Sequence, residues 1–218
     1  MTFSIVARDP DTGHLGVAIS TAVPNVGGRC PYAATGVGAV SSQASSNPYL
    51  ALYSIQLLER GATAQDALDK VVSWDPGRAN RQLHIVDATG GSAAHTGDEN
   101  VDWCGHRTGD GFSVAGNMLV GQETIDAMAE RFIASTGLLS DRLVAALEAG
   151  QAAGGDKRGR VSAALLVMGD QDYSMFRLQV DEHPDPVAEL RRIYEIQKPR
   201  VFGPDARSMP RSIMEGHP

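Results

Sequence analysis

The sequence predicts an α+β fold built of layers. Three observations predict it: period-two apolar alternation marks strands in blocks, helical-period stripes mark helices in pairs, and the two kinds of block are segregated rather than strictly alternating. The order reads strands, helix pair, strands, helix pair, strands, helix, which disfavours a central parallel sheet. With 218 residues, 42% of them hydrophobic, the chain has material for one substantial core. No internal repeat or interdomain linker interrupts it. The expected organisation is one domain over 1–198 and a C-terminal tail over 199–218, rich in Pro, Arg and Gly.

Thr2–Ala7 alternates, with Phe3, Ile5 and Ala7 on one face and Thr2, Ser4 and Val6 on the other. The turn vocabulary of "RDPDTGHLG" and the strand "LGVAIS" complete a hairpin. A third strand is expected near 36–42. Asn47 before Pro48 reads as an N-cap with proline at the first helical position, opening a helix to about Arg60. Thr63 with Asp66 caps a second, whose stripe is Ala67, Leu68, Val71 and Val72. Two strands are expected around Gly90–Gly91, a loop-rich stretch over 98–111, and a short strand in "FSVAGNML". Helices are expected at about 122–135 and 140–149, strands in "VSAALLVM" and "YSMFRLQV", and a last helix along Val187, Leu190, Ile193 and Tyr194.

The formal charge is −7, from 19 basic and 26 acidic residues. It argues against a duplex nucleic-acid partner, which calls for a basic face. No apolar run approaches the roughly 18–20 residues of a membrane span, and the start lacks a secretory signal pattern, so a cytoplasmic protein is expected. Cys30 and Cys104 are too few for a disulfide framework.

Thr2 is the leading candidate for chemistry. With Met1 removed it would hold a hydroxyl and a free α-amine, a group that ordinarily titrates at about 7.7–8. The amine could take the hydroxyl proton and let the oxygen attack a carbonyl. An intact Met1 would cap that amine, and an ordinary strand start is the competing account. In "GGDKRGR", residues 154–160, Lys157, Arg158 and Arg160 could meet an anionic substrate; the competing account is a solvated loop, which is what charge runs usually are. "SSQASSN", residues 41–47, offers Ser41, Ser42 and Gln43 as oxyanion or pocket contacts, against an ordinary polar strand end. Asn117 and, at the end of the first strand, Arg8 complete the pocket candidates. His95, Asp102 and His106 would have to converge to hold a metal, and their spacing matches no standard zinc motif, so no metal or cofactor is expected.

Several longer stretches, "MTFSIVARDPDTGHLGVAIS", "GVGAVSSQASSNP", "GHRTGDGFSVAGNML", "ALEAGQAAGGDKRGRVSAALLV" and "VDEHPDPVAELRRIYEI", resemble the uncharacterised bacterial family called domain of unknown function 1028. That family is placed in the N-terminal-nucleophile hydrolase superfamily, and the resemblance runs from Met1 to about Ile196. It implies a four-layer αββα sandwich, with two mainly antiparallel sheets between helical layers. It also implies amide hydrolysis by an N-terminal residue, here Thr2, with the Arg-bearing 154–160 loop as the substrate-anion contact. A lysine partner for the nucleophile is not carried over, because no lysine precedes Lys70.

The expected function is therefore a cofactor-independent amidohydrolase acting on a small carboxylated amide through Thr2. The alternative is a non-catalytic small-molecule binding or assembly protein on the same fold. A homo-oligomer, with a dimer favoured, is the expected assembly.

Overall fold

The computed structural model describes residues 2–204 and 206. The elements in chain order are β1 Thr2–Arg8, β2 Leu15–Thr21, β3 Pro31–Ala34, β4 Gly38–Ala44, α1 Pro48–Glu59, α2 Ala64–Trp74, β5 Arg81–Asp87, β6 Ser92–Thr96, β7 Gly105–Gly109, β8 Phe112–Asn117, α3 Glu123–Ala134, α4 Leu139–Ala152, β9 Ser162–Met168, β10 Ser174–Val180 and α5 Pro186–Phe202. Both helix starts read from the sequence are present. Asn47 Oδ1 accepts from Tyr49 N at 3.1 Å with Pro48 behind it, and Thr63 Oγ1 accepts from Asp66 N at 3.1 Å.

Two antiparallel sheets form. One runs β10-β9-β2-β1-β8-β7 and the other β3-β4-β5-β6. The large sheet buries Phe3, Ile5, Val114, Leu165 and Phe176 against Met128, Phe132, Leu143, Leu147 and Tyr194 of α3, α4 and α5. The small sheet buries Val40, Leu83 and Ile85 against Leu50, Leu68 and Val71 of α1 and α2. Between the sheets lie Val6, Val17, Ala39 and Val86. The result is the four-layer αββα sandwich. Full burial of a side chain such as Phe3 contributes about 2–3 kcal/mol, so each helical layer is held chiefly by its apolar stripe.

Two strands go beyond the sequence reading: β3, "PYAA", precedes the strand expected near 36–42, and β7, "GHRTG", lies in the stretch read as loop-rich; each is the edge of its sheet. An edge strand buries little and tolerates Pro and charge, so neither carries the apolar alternation of an interior strand. At the far end, α5 continues through Pro199 to Phe202, so 199–202 of the expected tail is helical. Residue 205 and residues 207–218, most of that tail, lie outside the described residues, as does Met1. No helix among the described residues is long and apolar enough to cross a membrane.

Candidate functional site

β1 is a central strand of the large sheet, and its period-two alternation aims Thr2, Ser4 and Val6 at the small sheet. Each sits in a different environment. Val6 belongs to the apolar inter-sheet cluster. Ser4 belongs to a buried polar network. Thr2 stands at the end of the strand and lines a cleft of about 590 Å³.

The network joins the sheets. Ser4 Oγ donates to Gln43 Oε1 at 2.6 Å, and Ser41 Oγ reaches the same oxygen at 3.0 Å. Gln43 Nε2 donates to Gln82 Oε1 at 2.8 Å, and Asn117 Nδ2 donates to that same Gln82 oxygen at 2.9 Å. Gln82 Nε2 donates in turn to the carbonyls of Gly116, at 2.7 Å, and Gly105, at 3.0 Å. His84 touches Ser4 and Ser113 and is fully buried; burial pushes its imidazole down to about 3, so it is neutral. Small polar side chains at this depth are stable only because they satisfy one another.

The cleft is walled by Thr2, Thr21, Asn25, Arg29, Cys30, Ser45, Ser46, Asn80, Glu99, Asn100, Asn117 and Arg158, among others. Thr2 is only 6% exposed, so its hydroxyl lies at the floor, 3.2 Å from that of Thr21. Thr2 and Asn117 are directly paired across β1 and β8, which puts their side chains on one face as neighbours. Cys30 is the other nucleophile type in the wall, but burial pushes its thiol up to about 12, and it stays protonated at neutral pH. Among the described residues, the non-glycine positions with left-handed φ are Asn25 (61°), Ala44 (68°) and Met118 (53°), and all three border this cleft. Such conformations cost about 1 kcal/mol or more each, and they concentrate where a backbone is held for a purpose.

The candidates read from the sequence distribute unevenly. Thr2, Asn117 and Arg158 meet in the cleft. Ser41 and Gln43 lie beneath it in the sealed network, both fully buried. Ser42 is on the opposite face of β4 and donates to Asn47 O at 2.8 Å, holding the entry to α1. Arg8 is at the other end of β1, where its backbone N–H donates to Gly111 O. Lys157 Nζ donates to Asp102 O at 2.6 Å, and Arg160 pairs with Asp185 at 3.3 Å. Within the loop, Asp156 is the anchor: it accepts from Ala22 N at 3.0 Å and Arg158 N at 2.8 Å while its oxygen stands 3.4 Å from the Arg158 guanidinium. Arg29, which the sequence offers with Arg8 as a source of positive charge near Thr2, is in the wall, and Asn25, Asn80, Glu99 and Asn100 are wall residues the sequence did not single out. They come from connections with no motif spacing, and only the folded chain brings them together. His95 Nε2 is spent on Arg78 O and His106 Nδ1 on Thr96 Oγ1; among the described residues, no three His, Cys, Asp or Glu side chains are grouped to hold a metal ion.

Fold and cleft define an αββα sandwich with a polar, arginine-bearing cleft at the start of a central strand. Residues 2–190 match the model of a family of unknown function, DUF1028, and the chain belongs to that family. The crystal structure of protein SPO2555 from Silicibacter pomeroyi, a DUF1028 member, is 38% identical, with a TM-score of 0.85 over 90% of this chain and 86% of that one. Two more distant matches are Anbu, the ancestral beta-subunit, from Yersinia bercovieri (12% identity, TM-score 0.44, 95% of this chain and 99% of that one) and an Anbu Gly-1 mutant from Hyphomicrobium sp. strain MC1 (11%, 0.44, 95% and 100%). Likeness at that level carries nothing about activity. No match is found among curated proteins.

Proposed function

We propose that the cleft beside Thr2 binds a small molecule bearing a carboxylate. The observation that carries the proposal is the joint presence of Arg29 and Arg158, two guanidinium groups against the single carboxylate of Glu99, in a cleft whose other polar wall residues are mainly hydroxyls and side-chain amides. Guanidinium groups match planar carboxylates bidentately, and the amides and hydroxyls supply orientation. This reading asks for no processing of the chain. Calorimetric titration tests it with N-acetylglycine against N-acetylglycinamide, which lacks the charge. Binding of the carboxylate at least tenfold tighter supports the reading. Equal binding, or none by either, removes it.

One observation favours amide hydrolysis as a second reading: the Thr2 hydroxyl lies at the cleft floor at the very start of β1. With Met1 removed, the Thr2 α-amine would accept the hydroxyl proton and the oxygen would attack the amide carbonyl; the C–N bond would break as the Thr2 ammonium returns that proton to the leaving amine, and water would then hydrolyse the acyl-enzyme to the carboxylic acid and free Thr2. N-terminal mass analysis of protein from its native host, followed by assay of Thr2→Ala on a small amide panel, decides it. A functional protein that retains Met1, or a Thr2→Ala variant with undiminished turnover, would sink this chemistry and leave the binding reading standing.

A further inference from the structure

The orientation of one buried amide narrows the ligand class, and this step rests on the binding reading above. Asn117 is 2% exposed and lines the cleft. A side-chain amide can present either its donor or its acceptor, and the network decides which. The carbonyls of Gly116 and Gly105 can only accept, so the Gln82 Nε2 hydrogens must point at them. Gln82 Oε1 is thereby turned the other way, where it accepts from Gln43 at 2.8 Å and from Asn117 at 2.9 Å. Asn117 must then direct Nδ2 at Gln82. No described residue donates to Asn117 Oδ1, and that oxygen is not among the sealed, unpartnered polar atoms of the interior. It is left open to the cleft, beside Thr2 on the paired strand.

We infer that Asn117 meets the ligand as a hydrogen-bond acceptor, and that the cleft selects a carboxylate-bearing secondary amide whose N–H donates to Asn117 Oδ1. Gln82 is the positioning residue that enforces this polarity. An N–H compound gains selectivity over its oxygen isostere, since an ester oxygen opposite Oδ1 sets two acceptors against each other.

The test uses the intact protein with N-acetylglycine and its ester isostere acetoxyacetate. Calorimetry should show the amide at least tenfold tighter, and the preference should vanish in Asn117→Leu, where both compounds bind alike. In case that variant does not fold, the wild type carries a second readout. The side-chain ¹³Cγ resonance of Asn117 should move downfield with N-acetylglycine and not with acetoxyacetate. Equal affinities in the wild type, a preference surviving in Asn117→Leu, or an unmoved ¹³Cγ resonance overturns the inference while leaving a carboxylate site in place. Failure of both compounds to bind removes the underlying reading, and the inference with it.

Discussion

Ser4 Oγ stands 2.7 Å from His84 Nε2, with both side chains fully buried between the two sheets. The polarity set by Gln82 extends to this pair. Gln43 turns Nε2 to Gln82, so its Oε1 faces Ser4, and the Ser4 hydroxyl is spent donating to it. His84 must then donate from Nε2 to Ser4. Its Nδ1 lies 3.3 Å from the Ser113 hydroxyl, which can donate, and 3.1 Å from the Ser113 carbonyl, which cannot. The carbonyl favours the charged ring and burial opposes it; burial is the larger effect. The buried imidazole is thus neutral.

That assignment predicts acid sensitivity at mild pH. An imidazole held down to about 3 from its ordinary 6.5 binds fewer protons folded than unfolded between those values. Stability contributed by the neutral ring is complete above about pH 6.5 and declines as pH falls toward 3, by at most about 1.4 kcal/mol per unit. Urea denaturation at pH 7 and pH 5 should show the loss, and His84→Gln should flatten it. His106 shifts the same way but is exposed, so His106→Gln should change the slope much less. A wild-type stability that is level between pH 7 and 5 would refute the assignment.

Asp87 ties the small sheet to α2. Its carboxylate accepts from Ala64 N at 2.8 Å, Thr89 N at 2.9 Å, Thr89 Oγ1 at 2.7 Å and Gly91 N at 3.0 Å. Burial alone would push the carboxyl up, but these hydrogen bonds together hold it below the ordinary carboxylate range. Asp87→Ala leaves three backbone N–H groups unmatched at a strand end and a helix start, and should destabilise by about 3 kcal/mol. The acid dependence of this group should appear only below its ordinary value of 3.8, at the acid end of the His84 window and beyond it. An Asp87→Ala midpoint within 0.5 kcal/mol of wild type by denaturation would show the cluster to be incidental.

How much of this was legible in the sequence depends on what each residue answers to. Interior strands and helices answer to burial, and burial leaves a period. The faces of β1 and the caps at Asn47 and Thr63 read straight off. The edges β3 and β7 answer to pairing alone, and pairing leaves no periodic mark. Thr2, Asn117 and Arg158 were picked by residue type and fall in one cleft, but Ser41 and Gln43 were picked on the same grounds and lie sealed below it. Residue type cannot distinguish a polar side chain that faces a ligand from one that satisfies a neighbour. That difference is set by β4–β5 register and by Gln82, which carries no motif.

Gly16 measures how closely α4 is seated on the large sheet. A Cβ there would lie 2.7 Å from Leu143 Cδ1, 2.9 Å from Leu166 O and 3.2 Å from Val167 Cγ2. The carbonyl belongs to the adjacent strand β9 and cannot swing aside. Gly16→Ala should therefore lower stability by about 1–3 kcal/mol, despite alanine's better intrinsic preference for ordered backbone, and lower the melting temperature by several degrees. Calorimetric melting checks it; an unchanged or higher transition would mean that the layers have room to part.

The three cations of the 154–160 loop should separate cleanly in binding. Arg158 lines the cleft while pairing with Asp156 at 3.4 Å; Lys157, bonded to Asp102 O, and Arg160, paired with Asp185, are not lining positions. Arg158→Ala should weaken N-acetylglycine binding at least tenfold, since it removes a guanidinium from the carboxylate site. Arg160→Ala breaks only a half-exposed ion pair and should change affinity less than twofold and stability by well under 1 kcal/mol. Arg158→Lys discriminates further: it keeps the charge but loses the planar fork, so affinity should fall between that of wild type and alanine variant. Calorimetry on the four proteins suffices. If Arg160→Ala weakened binding as much as Arg158→Ala, the loop would be acting as a diffuse cationic field, and the assignment of one arginine to the cleft would be wrong.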